Sequence, residues 1–165
     1  MISIGRYEVV ETLAEGEHGS LVRARVPGAL GFEREVLVRR LTLARDAAAP
    51  IAAAAQAACA LVHPNLVLTW EFGEDAGAWF LAGELARGRS LRRLLATSSA
   101  PSAPAAWRVV AETARALEHL HARGVLHGDV SPRTVLVSES GDVKLRDAGL
   151  PMLADPRSTH RAPEQ

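Results

Sequence analysis

The sequence is short of cysteine, of lysine and of net charge. Its one cysteine, Cys59, cannot form an internal disulfide, which suits a reducing, cytoplasmic setting. Free cysteine is most often a small buried apolar residue, and Cys59 is expected to be one. The formal net charge is zero, 19 Lys+Arg against 19 Asp+Glu, so nothing in the charge balance supports nucleic-acid binding or a membrane-surface role. No apolar stretch is strong enough for a membrane span: the run over residues 47–62 is mostly alanine. The opening Met1-Ile2-Ser3-Ile4-Gly5-Arg6 is too short and too polar for a secretory signal. Lys144 is the only lysine, so a cation required anywhere else must be arginine. There is no internal repeat.

What is present reads as a folded protein. Hydrophobic residues make up 48% and charged residues 23% of the 165 residues, enough for one domain with a core or for two small lobes. Taken in order, Tyr7–Leu13 and Leu21–Val26 read as strands around a turn with two glycines, Gly16 and Gly19. Glu35–Leu41 is a third strand, with Leu37, Arg39 and Leu41 on one face and Val36, Val38 and Arg40 on the other. The alanine-rich stretch Ile51–Leu61 is expected to be helical and to stop at His63-Pro64-Asn65. Leu66–Phe72 and Ala78–Leu85 read as strands around a turn at Gly73–Gly77. That makes five strands and one helix. Leu91–Leu95 fits a short helix, and Ser98–Pro104 a linker. A long helix over Ala105–Arg123 follows, with Val110, Ala114, Leu117 and Leu120 at helical spacing and Gly124 as its stop. Val135–Val137 and Val143–Leu145 form a hairpin, and the chain is irregular after Gly149.

Two acids stand out. Asp129 lies in the loop His127-Gly128-Asp129-Val130-Ser131-Pro132-Arg133-Thr134 after the long helix, and Asp147 lies just past the hairpin, in Asp147-Ala148-Gly149. Taken alone, either is an ordinary turn residue. The histidines do not suggest a metal site: His119 and His121 are two apart on a helix and do not share a face, and with His160 they read as solvated.

Six segments, LAEGEHGSLVRA, EVLVRRL, HPNLV, HGDVSPRTVLV, VKLRDAGL and RAPEQ, occur in the order and at roughly the spacing of a protein kinase domain. The sequence resembles the bacterial serine/threonine protein kinases over nearly its whole length. The resemblance implies an α+β, protein kinase-like fold: a five-stranded antiparallel N-lobe with one helix over residues 1–86, and a partial, mainly helical C-lobe over 87–165. The family continues beyond the segment resembled by Arg161-Ala162-Pro163-Glu164, so the domain is expected to be incomplete, with an apolar C-lobe underside exposed.

The resemblance also assigns roles. Ala14, Gly16 and Gly19 stand at the glycines of the phosphate-covering loop. Arg39 stands at the phosphate-clamping lysine, and a forked guanidinium has a different geometry. Ala54 falls where the family has the glutamate that orients that lysine. Lys144 points away by strand alternation and is not expected to substitute. An adenine pocket would take Leu13, Leu21, Leu37 and Leu136, with backbone hydrogen bonds from Glu84, Leu85 and Ala86. Leu37 replaces an alanine and crowds the base, while Gly83 opens the pocket's rear. Asp129 matches the catalytic base. Gly128 replaces the arginine that pairs with a phosphorylated activation loop, and Ser131 a lysine. Asp147 and Thr134 stand at the two metal-ligand positions, Thr134 in place of asparagine, and Ala148 replaces a phenylalanine.

Phosphoryl transfer needs a phosphate clamp, metal ligands and an oriented nucleophile. With positions 39, 54 and 134 changed together, the resemblance implies a pseudokinase that binds ATP and Mg2+ weakly and acts on a protein partner by binding or regulation. The alternative is an active ATP-dependent kinase that phosphorylates serine or threonine of a protein substrate. Self-association through the exposed underside is a further expectation. A small-molecule phosphotransferase is disfavoured, because His127-Gly128-Asp129 resembles that group but Asp147-Ala148-Gly149 and Arg161-Ala162-Pro163-Glu164 do not.

Overall fold

A computed structural model of the chain describes residues 2–16, 19–42, 48–97 and 101–150. Glu17 and His18 of the glycine turn, His160 and the segment Arg161-Ala162-Pro163-Glu164 lie outside the described residues. The chain divides into two units: Met1–Ala60 with Thr69–Leu85, and Leu61–Leu68 with Ala86–Gln165.

The first unit is an antiparallel sheet with a helix. Its strands are β1 (Ser3–Ile4), β2 (Tyr7–Gly16), β3 (Gly19–Pro27), β4 (Glu33–Leu41), β5 (Thr69–Asp75) and β6 (Ala78–Glu84), in the order β1-β2-β3-β4-β6-β5. The expected five strands are therefore six. β1 has only two residues, too few to show alternation, and it is defined by Ile4 pairing with Tyr7. β5 begins at Thr69 rather than Leu66 and runs to Asp75. Its hairpin turn is Ala76-Gly77 alone, both at positive φ (49° and 78°), as the twist of a two-residue hairpin requires. Gly73 is therefore not a turn glycine. It lies inside β5 under the Phe80 ring, where a Cβ would come within 2.6 Å of Cζ.

One face of the sheet carries the core. Tyr7, Val22, Ala24, Val36, Val38 and Phe80 are buried there, with Tyr7 edge-on to Phe80 at 5.9 Å. Val36 and Val38 share this face as the alternation predicts. Arg40 does not: it is exposed and Leu41 is buried. The last pair between β3 and β4 is Leu21 with Arg39, so Arg40 lies beyond the part of β4 that β3 holds in register. On the outer surface Arg23 bridges Glu11 and Glu35, and Arg25 bridges Glu8 and Glu33; such exposed pairs add little individually. Helix α1 (Ala48–Cys59) starts earlier than expected and packs against β5. Ile51, Ala55 and Ala58, at i, i+4 and i+7, are its buried stripe. Cys59 is half-buried, and burial raises its thiol pKa.

The second unit contains β7 (Arg89–Ser90), α2 (Leu91–Thr97), α3 (Ala103–His121), β8 (Val135–Val137) and β9 (Val143–Leu145), its sheet ordered β7-β8-β9. Leu66, expected in the first sheet, instead lies beside Leu145. Leu145 donates its N–H to the Asn65 carbonyl at 2.8 Å, and Val67 donates to Leu145's at 2.9 Å. These bonds hold residues 61–68 in this unit.

The expected linker ends sooner than proline suggested. Ser102 caps α3, its hydroxyl accepting the Ala105 N–H, and Pro104 sits in the first turn, where a missing N–H costs nothing. The apolar stripe of α3 is displaced from the expected one. Leu120 and Ala116 are fully buried, but Val110 and Ala114 are exposed. The inward place is taken by Glu112, whose carboxylate accepts from Asn65 Nδ2 at 2.9 Å and from the Val143 N–H at 3.3 Å. A glutamate turned inward breaks the pattern that periodicity follows. Gly124 ends the helix at φ 68°, with the Val125 N–H returning to Leu120 O. His121 is exposed as expected, but His119 is not solvated. Its ring lies 4.8 Å from that of His63, and its Nε2 is buried without a partner. No helix among the described residues is long and apolar enough to cross a membrane.

Gly19 is the residue on which the β2–β3 hairpin depends. Its φ is +125°, and a Cβ there would lie 2.0 Å from the carbonyl oxygen of Arg40. Gly19→Ala is expected to destabilise the fold by about 2 kcal/mol or more, read as a lower midpoint in urea unfolding. An unchanged midpoint would contradict this placement of the hairpin.

Candidate functional site

The residues singled out from the sequence fall on both units. Leu13, Gly16, Gly19, Leu21, Leu37, Arg39 and Glu84 belong to the first, and Ala86, Asp129, Thr134, Leu136 and Asp147 to the second.

In the first unit β2 and β3 stay paired up to Gly16, which is opposite Gly19. Leu21 is opposite Arg39, which is opposite Leu81. Arg23 is opposite Leu37, which is opposite Gly83. Directly paired residues of antiparallel strands share a face, so Leu21, Leu37 and Arg39 stand together on the face away from the Val36–Val38 core. All three are half-buried. Leu13 stands apart: it sits at a register shift in β2 between Thr12 and Ala14 and is 45% exposed. Glu84 pairs with Val36 at the end of β6. Ala54 is half-buried on α1, and that helix contains no acidic residue at all.

In the second unit the two acids are connected through one imidazole. His127 is buried. Its Nε2 lies 2.9 Å from the Arg146 carbonyl oxygen, and its Nδ1 lies 3.2 Å from the Asp129 backbone nitrogen. A carbonyl oxygen only accepts and a backbone N–H only donates. The proton is therefore on Nε2, Nδ1 is bare and the ring is neutral. Burial lowers the His127 pKa; the Arg146 carbonyl and the carboxylates of Asp147 and Asp129 oppose that shift without reversing it. A second tie joins the same segments, the Arg146 N–H donating to Thr134 O at 2.9 Å. The residue before Asp147 is thus fastened to both ends of the loop that bears Asp129.

The surroundings of each acid follow. Asp129 is buried, and its Oδ2 lies 3.4 Å from Arg133 Nη2. Asp147 Oδ2 lies 3.1 Å from Arg146 Nε. Asp147 adopts φ 62°, a left-handed conformation uncommon outside glycine that collects at functional sites. Gly128 at φ 84° supplies the turn that places the Asp129 N–H on His127. Leu136 is half-buried and pairs with both Ser90 and Lys144. Val143 and Leu145 are buried and Lys144 is not, as alternation predicts, and its ammonium reaches the Leu66 carbonyl at 3.4 Å.

Thr134 is engaged within the loop itself. Its hydroxyl lies 2.8 Å from the Asp129 carbonyl and 3.0 Å from that of Ser131, and it accepts the Ser131 N–H at 3.0 Å. The residue is buried. The proton and an acceptor site of the hydroxyl are spent on the loop's own main chain. Among the described residues no group of three or more His, Cys, Asp or Glu could hold a metal.

Comparison with known proteins agrees with this architecture. The family model for protein tyrosine and serine/threonine kinases matches residues 7–165. The chain belongs to the protein kinase family. This kinase domain is 30% identical over 151 residues to the probable serine/threonine-protein kinase pknA2 of Bifidobacterium longum, covering 88% of this chain and 20% of that protein. It is 30% identical over 162 residues to the tyrosine-protein kinase MasK of Myxococcus xanthus, covering 88% of this chain and 25% of MasK. The kinase domain thus spans a fifth to a quarter of the length of these relatives. Its fold is similar to that in the crystal structure of Rad53 1-466 in complex with AMP-PNP, with a TM-score of 0.74 at 19% identity, covering 86% of this chain and 38% of that one.

Sequence reasoning assigned Asp129 and Asp147 but missed His127, Arg133 and Arg146 as the residues that set their surroundings. The one available signal for His127 is its position two residues before Asp129.

Two outcomes are expected. Thr134→Val leaves the buried Ser131 N–H and Asp129 carbonyl without their partner and should destabilise the fold by about 1–3 kcal/mol, measured by urea unfolding. For His127, the unfolded state takes up a proton first as pH falls, because its pKa is lowered in the fold. Its contribution is whole above about pH 6.5 and is lost progressively below it. The pKa of His119 is lowered as well, first by burial, so the loss in stability between about pH 7.5 and about pH 5.5 should shrink in His127→Asn and persist in part in His119→Phe. A slope unchanged in His127→Asn would contradict the neutral imidazole.

Proposed function

We propose that this kinase domain transfers phosphoryl groups weakly or not at all and acts by binding a protein partner. The observation that carries this is the Thr134 hydroxyl, 2.8 Å from the Asp129 carbonyl, whose proton is engaged by the loop's own main chain. Further support comes from α1, which has no carboxylate to orient Arg39, and from Leu37, whose bulk stands opposite Gly83 on the face shared with Arg39. ATP is the nucleotide class the family implies. The residues that the resemblance assigns to it are Leu21, Leu37 and Arg39 in the first unit and, separately, Leu136 and Asp147 in the second. A cytoplasmic setting and self-association through an exposed underside of the C-lobe belong to the same proposal.

A second reading, an active ATP-dependent kinase acting on serine or threonine of a protein, is favoured by one feature. Asp129, His127 and Asp147 keep a connected and ordered framework. The two readings separate in a single assay. With radiolabelled ATP, Mg2+ and a mixed basic protein acceptor, the chain and its Asp129→Asn variant are expected to incorporate label equally, within about twofold. Incorporation that falls by about a hundredfold or more in Asp129→Asn would establish the second reading instead.

A further inference from the structure

Away from the loop acids, the second unit has a concavity of about 800 Å3, within the range of about 300–1,000 Å3 found for ligand sites. One side is formed by Arg87 and Arg89, the other by the turn Ser138–Ser140, and Leu94 and Val137 form an apolar wall. Its floor is fixed by a close backbone approach. Gly88 has φ +133°, and a Cβ there would lie 2.6 Å from the Val137 carbonyl oxygen. The strand that brings Arg89 to the rim is therefore pressed onto β8 at this point.

Three observations together indicate an occupant. First, Arg87 and Arg89 flank Gly88, both line the concavity and both are exposed. Neither has a side-chain hydrogen bond or ion pair among the described residues, whereas Arg6, Arg23, Arg25, Arg108, Arg133 and Arg146 are all paired with acids. Second, the hydroxyls across the concavity are held in place. Ser138 and Ser140 are 2.8 Å apart, and both bond to Asp142 Oδ2, Ser140 at 2.6 Å. Third, β7 is an open sheet edge. The far edge of the sheet, at β9, is already occupied by residues 65–67 through Leu145, while among the described residues β7 pairs only with β8. An open edge accepts an extended chain.

We propose that this concavity docks an extended acidic peptide segment of a partner protein. Its carboxylates lie along Arg87 and Arg89, where a guanidinium fork accommodates a carboxylate with two parallel hydrogen bonds, and an apolar residue of the segment rests on Leu94 and Val137. Glu139, on the Ser138–Ser140 rim, sets the orientation by repelling acids from that side. The site lies wholly in the second unit and uses neither Asp129 nor Asp147, so it stands or falls separately from the question of phosphoryl transfer.

The test is fluorescence anisotropy of a labelled peptide, Asp-Glu-Leu-Asp-Glu, added to the 165-residue chain without nucleotide. Saturable binding is expected, weakened about tenfold or more in Arg87→Glu/Arg89→Glu and in the peptide with its acids replaced by amides, and weakened again by raising salt. Arg87→Gln/Arg89→Gln, with circular dichroism unchanged, guards against misfolding of the charge-reversed variant and should weaken binding in the same direction. No saturable binding, binding equal in these variants, or equal affinity for the amide peptide would overturn the proposal. So would full competition by millimolar inorganic phosphate alone, since that would reduce the site to a general anion site.

Discussion

The arrangement of the second unit depends on one neutral imidazole. His127 takes an N–H from Asp129 and gives its own proton to the carbonyl of Arg146. Both partners are main-chain groups with fixed polarity, so the ring can satisfy them only in one tautomer and only uncharged. The consequences reach both acids. The backbone of Asp129 is held at the loop, the backbone before Asp147 is held at the end of β9, and the Arg146 N–H bond to Thr134 closes the circuit. A buried, fully satisfied network of this kind fixes one geometry because breaking any member leaves a buried polar group unpaired.

What His127 and Thr134 maintain is main-chain geometry, which needs no nucleotide. The Thr134 hydroxyl takes part in it, bonded to the Asp129 and Ser131 carbonyls. In the other unit, Leu21, Leu37 and Arg39 still share a face, but α1 contributes alanines where a carboxylate would orient a clamp.

Much of this was legible in the sequence, and the rest was hidden for specific reasons. The strands of the first sheet, α1, α3 and the β8–β9 hairpin follow from alternation, alanine content and glycine stops. β1 was invisible because two residues have no period. Gly73 looked like a turn because nothing in the sequence shows Phe80 lying over it. The stripe of α3 was misplaced because Glu112 faces inward to bond Asn65 and Val143, a contact between residues far apart in the chain. Leu66 was assigned to the wrong sheet for the same kind of reason: its register is set by Leu145, well beyond local pattern. At the candidate site the acids could be found by spacing, but the tautomer of His127 and the direction of the Thr134 hydroxyl are properties of hydrogen-bond partners, which spacing does not encode.

In the function proposed above, the Thr134 hydroxyl serves the loop's main chain and not a magnesium ion. Calorimetric titration of a non-hydrolysable ATP analogue with and without Mg2+ tests it most directly. The account predicts that Mg2+ changes the nucleotide affinity by less than about threefold, below about 0.7 kcal/mol, and that Thr134→Asn increases the Mg2+ dependence. Tightening by about tenfold or more on adding Mg2+ to the unaltered chain, lost in Thr134→Val, would contradict it.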